Sequence, residues 1–391
     1  MGRLTFLLSV LLLAAAATNA AAAAVRVGAE RMEKYIPLTQ GKKVGLVANH
    51  TSLVNGVHLL DTLRAQGVNV LRVYAPEHGF RGTMEAGESV AGYVDKKSGV
   101  EVASIYNASK KPSREQLSGI QLMIFDMQDV GARFYTYLST LHYVMEACAE
   151  NGILLIVLDR PNPNGWYIDG PVLESKYRSF IGMHPIPIVH GMTLGELALM
   201  INGESWLKNG VKCNLTVVPC ESYNRAAEYS LPIKPSPNLP NMRSVYLYPS
   251  LCLFEGTIMS VGRGTDFPFQ VFGHPRWIGK QFSFRPRSIK GASKNPLHEK
   301  KICYGVDLRE VALDSLLNLR QLNLEYLLEA YRYFSSKGKF FTPFFSTLVG
   351  TSKLQKQVEQ GLSAEQIRAS WQPDLSKFRQ LRKKYLLYKD F

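Results

Sequence analysis

The chain is short of the signatures that mark common cofactor and nucleophile sites. Its five cysteines, at 148, 213, 220, 252 and 303, show no C-x-x-C and no metal-ligand spacing, which removes zinc-ribbon, thioredoxin-like and disulfide-framework readings. An odd count leaves at least one thiol free. Cys213 and Cys220 flank the strand-like Asn214–Pro219, so a disulfide between them is conceivable, but buried unpaired thiols are the expectation. G-x-G-x-x-G is missing after the first apolar strand, as are the P-loop, G-x-S-x-G and H-E-x-x-H, so dinucleotide, nucleotide, esterase and zincin chemistry lose their usual carriers. No cofactor and no metal is expected. After residue 24 no apolar run is long enough to cross a bilayer.

What is present begins with a leader. Arg3 provides a basic start, Leu4–Ala17 an apolar run, and Thr18-Asn19-Ala20 with the alanines to Ala24 several small-residue cleavage sites, the pattern of a signal peptide over 1–24. Thr18 and Asn19 interrupt the run, and its strongly apolar part falls short of the ~20 residues a span needs. With no cysteine before Cys148 a lipoprotein is disfavoured. The expected product is exported, periplasmic or secreted, without a stable membrane anchor.

Length (391 residues) suggests two domains. The formal charge is +14, from 46 Lys+Arg against 32 Asp+Glu, and such a balance suits an anionic partner. Gly273–Lys301 holds eight Lys/Arg and one Glu, and Ser352–Phe391 nine Lys/Arg and four acids, so +7 and +5 of the total lie in the last third. A nucleic-acid binder would need a basic motif on a reading element; none is present, and the leader also argues against it.

Short apolar runs alternate with amphipathic stretches. Lys43–Asn49, Asn69–Ala75, Glu101–Tyr106, Leu122–Asp126 and Leu154–Asp159 read as strands. Val57–Gln66, Pro112–Leu117, Arg133–Asn151 and Leu194–Asn202 read as helices, with Gly67 and Gly152 as stops. Near-continuous apolar strands alternating with helices indicate a parallel sheet covered on both faces. Pro232–Pro240 carries four prolines in nine residues and reads as an interdomain connection, giving domains over 25–232 and 233–391. Beyond it, Tyr246–Pro275 is rich in Gly, Pro and aromatics without clear periodicity, and from Leu308 the pattern is mostly helical.

Polar residues gather where the strands end, which in open α/β sheets is where the ligand crevice lies. Asn49 and His50 follow the first strand. Glu77, His78, Arg81, Glu85 and Glu88 follow the second. Asp126, Asp129 and Arg133 follow the strand at 122–126, and Asp159, Arg160 and Asn162 the next. Each has a plain structural reading: Asp129 as a helix cap, Asp159 with Arg160 as an ion pair, His50 or His78 as hydrogen-bonded structural residues. Glu77 is harder to dismiss, since a carboxyl between a proline and His-Gly just past an apolar strand is partly withdrawn from water, as a general acid requires. Tyr135 and Tyr137 are two apart and cannot share a helical face, so at most one is expected in the crevice. In Phe254–Trp277, Gly262 and Gly264 bracket Arg263 in what reads as a tight loop, and arginine is the natural clamp for a carboxylate.

The blocks VGLVANHTSLV (44–54), APEHGFRG (75–82), FDMQDVGARFYTYLSTL (125–141), LDRPNPNG (158–165), GMTLGEL (191–197), PSPNLP (235–240) and FEGT…SVGRGTDFPFQVFGHP resemble the NamZ-type exo-β-N-acetylmuramidases from about residue 43 to 277, and more weakly beyond. That resemblance implies an α/β protein, a Rossmann-like parallel sheet domain with a second, smaller α+β domain and the active site in the cleft between. It implies a glycoside hydrolase that removes N-acetylmuramic acid from the non-reducing end of peptide-free peptidoglycan fragments, with muramyl oligosaccharides as partners and cell-wall recycling as the setting. It also implies that the glutamate of the PEHG block, Glu77, is catalytic.

Glycoside hydrolysis usually pairs an acid with a second carboxylate. Glu77 is the expected acid, with Asp126 or Asp129 as partner and Glu85 in reserve. A substrate-assisted route, in which the sugar's 2-acetamido group is the nucleophile, is also open. The lactyl carboxylate is expected on Arg263, Arg133 or Arg81, with Asn49, His50, His78, Tyr135, Asp159, Arg160 and Asn162 as further substrate contacts. The competing reading is a non-catalytic module that binds muramyl sugars in the same cleft. An esterase is disfavoured by the missing nucleophile elbow.

Overall fold

Apolar runs without alternation become strands with both faces covered. In the computed structural model, which describes residues 24–77, 79–80, 92–106, 109–226 and 229–391, β1 (Val44–Ala48) is buried at all five positions. Helix α1 (Met32–Tyr35) precedes it. Strands β2 (Leu53–Val54) and β3 (Val57–His58) form a small hairpin around Asn55-Gly56, both at positive φ (48° and 78°), the backbone that Asn-Gly accepts most readily in a two-residue turn. Next come α2 (Leu59–Ala65), β4 (Val70–Ala75), β5 (Tyr93–Val94), β6 (Glu101–Ser104), β7 (Leu122–Asp126), α3 (Tyr137–Glu150), β8 (Leu154–Leu158), α4 (Leu194–Gly203) and β9 (Leu215–Val218).

The large sheet runs β5-β6-β4-β1-β7-β8-β9. Every pair is parallel except β5 with β6. From β1 the chain builds outward through β4 and β6, then returns to lay β7 on the other side of β1, so the direction of winding reverses there and opens a crevice at the strands' carboxyl ends. Alternate residues feed opposite cores: Val47, Met123, Phe125, Leu155 and Val157 join one, and Leu46, Leu122, Ile124, Ile156 and Leu158 the other, as the two-residue period of a strand requires.

The remainder comprises α5 (Met242–Leu251), strands β10 (Val271–His274), β11 (Phe282–Phe284) and β12 (Cys303–Asp307), and helices α6 (Leu313–Leu319), α7 (Glu325–Phe334), α8 (Phe344–Val349), α9 (Lys353–Glu359) and α10 (Ala364–Arg382). The three strands make an antiparallel sheet in the order β10-β12-β11. The mixed α/β architecture with a mostly parallel sheet and a second smaller region is the one expected from the sequence. The larger core runs unbroken from α3 through α5 and α7 to α10, and the chain end returns to the first half: Trp371 Nε1 donates to Asp169 at 2.8 Å and the Tyr388 hydroxyl to Asp159 at 2.6 Å. Pro232–Pro240 crosses the rim of the crevice, where the Lys234 carbonyl lies 2.9 Å from His50 Nε2 and the Pro235 carbonyl accepts from the Tyr135 hydroxyl at 2.9 Å.

Two local expectations fail. Pro112–Leu117 is a run of turns. The helix expected from Arg133 starts only at Tyr137, because Gly131 at φ 77° and the Ala132–Val189 bridge hold 131–136 in an irregular path. Tyr246–Pro275 contains the end of α5, whose Asn241 N-cap and buried face outweigh Pro249 in its last turn. The five cysteines are buried and unpaired, and no described helix is long and apolar enough to cross a membrane. The expected leader lies almost wholly outside the described residues.

Candidate active site

The cleft at the strand ends measures about 700 Å³ including its open mouth. Glu77, Tyr135, Thr136 and Tyr137 line it from the large sheet's side, Ser236 and Asn238 from the proline-rich crossing, and Tyr248, Glu255, Arg263 and Phe269 from the opposite wall. One face is therefore built by the loops after β4 and β7, the other by α5 and the segment that follows it.

Glu77 sits two residues past β4. The Gly79 amide donates to the Pro76 carbonyl at 3.0 Å, Gly79 takes φ 73°, and Phe80 is buried in the core beneath α2 with its ring edge-on to His58. That anchored turn presents Glu77 at the cleft wall, where both oxygens accept hydrogen bonds: Oε1 from the Tyr106 hydroxyl at 3.0 Å and Oε2 from Thr136 Oγ1 at 2.5 Å. Burial and the neighbouring carboxylate push the Tyr106 phenol well above its ordinary pKa, so it stays a neutral donor.

Because 133–136 is irregular, helical periodicity does not apply to Tyr135 and Tyr137, and both reach the cleft, packed edge-on at 4.8 Å. This corrects the expectation that only one would do so. Behind them lies Asp129. Its Oδ2 accepts from the Gly131 amide at 2.7 Å, and burial pushes its pKa up to about 7 against the pull of the Gly131 and Val130 amides. Asp129 Oδ1, Asn49 Nδ2 and the Tyr137 hydroxyl are buried without a hydrogen-bond partner among the described residues. Buried polar atoms of this kind usually mark an ordered water or a ligand group.

On the far wall Gly262 and Gly264 take φ 78° and 80°. A Cβ on Gly264 would stand 2.5 Å from the Arg287 carbonyl oxygen, so the loop tolerates no side chain there. Its tightness delivers Arg263 to the cleft, with Nε on Glu255 and the guanidinium over the Phe269 ring at 5.0 Å. The second oxygen of Glu255 lies 3.5 Å from Cys252 Sγ. A positive charge thus faces the Glu77 side across the cleft, braced by a carboxylate and a ring.

The other strand-end residues hold one another. Asp126 is fully buried and takes Arg160 on both oxygens, Nε at 2.5 Å and Nη2 at 2.9 Å, while Arg160 also donates to the Leu53 carbonyl. Asp159 sits at the N-terminus of α4, accepting from Thr193 Oγ1 (2.7 Å), the Gly195 amide (2.8 Å) and Tyr388; burial raises its pKa to about 6. Asn162 donates to the Met192 carbonyl and accepts from the Asn164 amide, pressed so close to Gly131 that a Cβ there would stand 2.0 Å from its Oδ1. Arg133 is buried and spends its guanidinium on the carbonyls of Pro171, Ile186 and Val349, and burial without a carboxylate lowers its pKa to about 9. Asn49 Oδ1 caps its own turn through the Thr51 amide and hydroxyl. Asp126, Asp159, Arg160, Asn162 and Arg133 do not line the cleft. His78, Arg81 and Glu85 lie outside the described residues.

Sequence reasoning gave no role to Thr136, Tyr106, Tyr248 or Glu255. Glu255 stood in the FEGT block beside Arg263, and its pairing was the available signal. Tyr106, past the end of β6, carried none. No group of His, Cys, Asp or Glu among the described residues is arranged to hold a metal.

A parallel sheet with a switch-point crevice, faced by the segment after α5 that brings an arginine opposite a carboxylate, makes this a mixed α/β protein with a polar, aromatic-lined cleft. The chain belongs to the exo-β-N-acetylmuramidase NamZ family: the family's N-terminal domain matches residues 44–243 and its C-terminal domain residues 246–388. It is 38% identical over 369 residues to the peptidoglycan β-N-acetylmuramidase NamZ of Bacillus subtilis (strain 168), covering 89% of this chain and 87% of that protein. Two crystal structures of DUF1343 family proteins from Bacteroides fragilis NCTC 9343 share the fold. One is 48% identical with a TM-score of 0.87, covering 94% of this chain and all of that one. The other is 30% identical with a TM-score of 0.80, covering 93% and 99%.

Proposed function

We propose that this protein is a peptidoglycan glycoside hydrolase, exported to the periplasm or beyond, that releases N-acetylmuramic acid from the non-reducing end of peptide-free peptidoglycan fragments. The observation that carries the reading is Glu77 at the cleft wall, fixed by Tyr106 and Thr136 and faced by the braced guanidinium of Arg263. Membership of the family, and the activity named for the Bacillus subtilis relative, support the same substrate class.

In this reading the lactyl ether carboxylate, which distinguishes muramic acid from glucosamine, pairs with Arg263. Glu77 gives its proton to the glycosidic oxygen as the bond to C1 breaks. The attacking group is the sugar's own 2-acetamido oxygen. What supports this is the state of the other carboxylates: Asp126 is closed by Arg160, Glu255 is held by Arg263 and Cys252, and Asp129 lies behind the tyrosines. Glu77, now a carboxylate, then takes a proton from the water that opens the oxazolinium ring, and the sugar leaves with its anomeric configuration retained.

The test is incubation with a peptide-free GlcNAc–MurNAc oligomer bearing MurNAc at its non-reducing end. Free MurNAc with a chain one sugar shorter is the expected product. Saturable binding without release of sugar would establish a non-catalytic wall-binding module instead.

A further inference from the structure

The small antiparallel sheet bears a surface that hydrolysis does not use. Pairing of His274 with Tyr304 and of Phe284 with Cys303 brings the residues just after β10, just after β11 and just before β12 to one end of that sheet. Arg276 and Ile278, Arg287, and Lys300, Lys301 and Ile302 therefore sit together, and the Lys300 amide donating to the Pro286 carbonyl at 2.8 Å ties two of the three segments. These are basic and aliphatic side chains on the surface, with Arg287 paired to Asp266 at 2.8 Å and Lys300 3.9 Å from Glu299, which leaves Arg276 and Lys301 as the cations with no ion pair among the described residues. Ile278 is 76% exposed, more than any other large hydrophobic side chain among the described residues, and Ile302 and the nearby Leu297 are exposed as well.

Ile278 is not exposed through fraying. Its amide accepts no slack: it donates to the Tyr333 hydroxyl at 3.0 Å, and that hydroxyl donates to the Arg276 carbonyl at 3.1 Å, so α7 pins the turn from both sides. Beside it Lys280 lies over the Trp277 ring at 4.7 Å. A turn held rigidly with an aliphatic side chain outward, inside a segment of net charge +7 over Gly273–Lys301 (eight Lys/Arg less one Glu), is chemistry for an interface that is anionic outside and apolar within. A soluble polyanion would be served by the lysines and arginines alone, whereas an anionic bilayer uses both kinds of side chain.

We propose that this end of the β10-β12-β11 sheet is a peripheral docking surface for an anionic phospholipid bilayer, with Lys300, Lys301 and Arg276 at the headgroups and Ile278 and Ile302 reaching the acyl boundary. The contact is reversible and is independent of the reaction assigned to the cleft.

The test is cosedimentation of the purified protein with vesicles of phosphatidylcholine alone and of phosphatidylcholine with phosphatidylglycerol, alongside Ile278→Ser and the double variant Lys300→Glu/Lys301→Glu. Wild type is expected on the phosphatidylglycerol vesicles only, and to be released by about 0.5 M salt. Each variant is expected to bind on the order of tenfold more weakly, with the thermal melt and turnover of a soluble muramyl glycoside unchanged. Failure to sediment, or equal partition onto both vesicles, overturns the proposal. Full vesicle binding by Ile278→Ser overturns it too, since charge alone would then act and the surface would be a polyanion site.

Discussion

The hydroxyl of Thr136, the residue immediately before α3, donates to Glu77 Oε2, so the loop after β7 orients the carboxylate delivered by the turn after β4. Tyr106, beyond β6, holds the other oxygen. Three loops, those after β4, β6 and β7, thus fix one carboxyl, and its chemistry can be separated from its positioning. Glu77→Gln is expected to lower kcat for a muramyl glycoside by about 10²–10⁴-fold, the usual contribution of a general acid, with little change in the thermal melt. Substantial residual turnover would remove Glu77 from the acid role. Thr136→Ala should cost roughly tenfold, as loss of a hydrogen bond to a carboxyl predicts, and Thr136→Ser should restore most of it.

The stereochemistry of the product tests the nucleophile. If the 2-acetamido group attacks C1, MurNAc first appears as the β-anomer, and a trifluoroacetamido substrate, whose carbonyl oxygen is less basic, is turned over more slowly. Proton NMR during the first minutes of reaction reads both. An α-anomer at early times would mean direct attack by water on C1 and a second carboxylate within reach of it.

Asp126 and Arg160 form a fully buried pair at the head of the crevice. Asp126→Asn leaves Arg160 buried without its counter-charge, and breaking such a pair costs about 3–5 kcal/mol. Urea unfolding should show that loss, while the folded fraction keeps its KM. An unshifted midpoint together with abolished turnover would instead make Asp126 part of the chemistry.

These cases show what the sequence could carry. The parallel sheet was readable because β1, β7 and β8 are apolar at nearly every position, which only a doubly covered strand tolerates. That the polar residues after those strands converge on one rim was readable for the same reason. Which of them face the cleft was not: Asp126 meets Arg160 across 34 residues and Asp159 meets Tyr388 across 229, and nothing local distinguishes a carboxylate reserved for substrate from one satisfied by the far end of the chain. Tyr135 was misjudged because Gly131 at φ 77° delays the helix by four residues. The Arg263 loop was readable, since paired glycines announce a backbone that other residues avoid.

Asp129 supplies a pH signature. Burial raises its pKa to about 7 in the folded protein, against about 3.9 in an unfolded chain. The folded state therefore holds the proton more tightly. The stability this contributes is fully present below about pH 4 and is lost as pH rises through about 7, with a slope of at most about 1.4 kcal/mol per pH unit. Asp129→Asn, which imitates the protonated form, should gain on wild type in melting temperature between about pH 4 and pH 7, the window set by these two values. A constant difference between the two proteins across that range would show that Asp129 does not titrate there.

Arg133 and Arg263 are both held tightly, but to opposite ends, and lysine distinguishes them. Arg133 reaches the Pro171, Ile186 and Val349 carbonyls at once, joining the loop before α4 to the end of α8. A lysine ammonium is a point donor and cannot span three acceptors as the planar guanidinium does, and buried carbonyls left without donors cost about 1–3 kcal/mol each. Arg133→Lys should therefore melt well below wild type with its KM for muramyl substrates unchanged. Arg263 is braced over Phe269 and against Glu255 but opens on the cleft. Arg263→Lys keeps the charge and loses the fork, so it should melt close to wild type while KM for muramyl substrates rises roughly tenfold or more. Turnover of N-acetylglucosaminyl analogues, which have no lactyl carboxylate, should change far less. If the two variants exchange these phenotypes, the carboxylate clamp lies at Arg133. If Arg263→Lys weakens both sugars equally, the guanidinium serves the shape of the cleft and not the muramyl carboxylate.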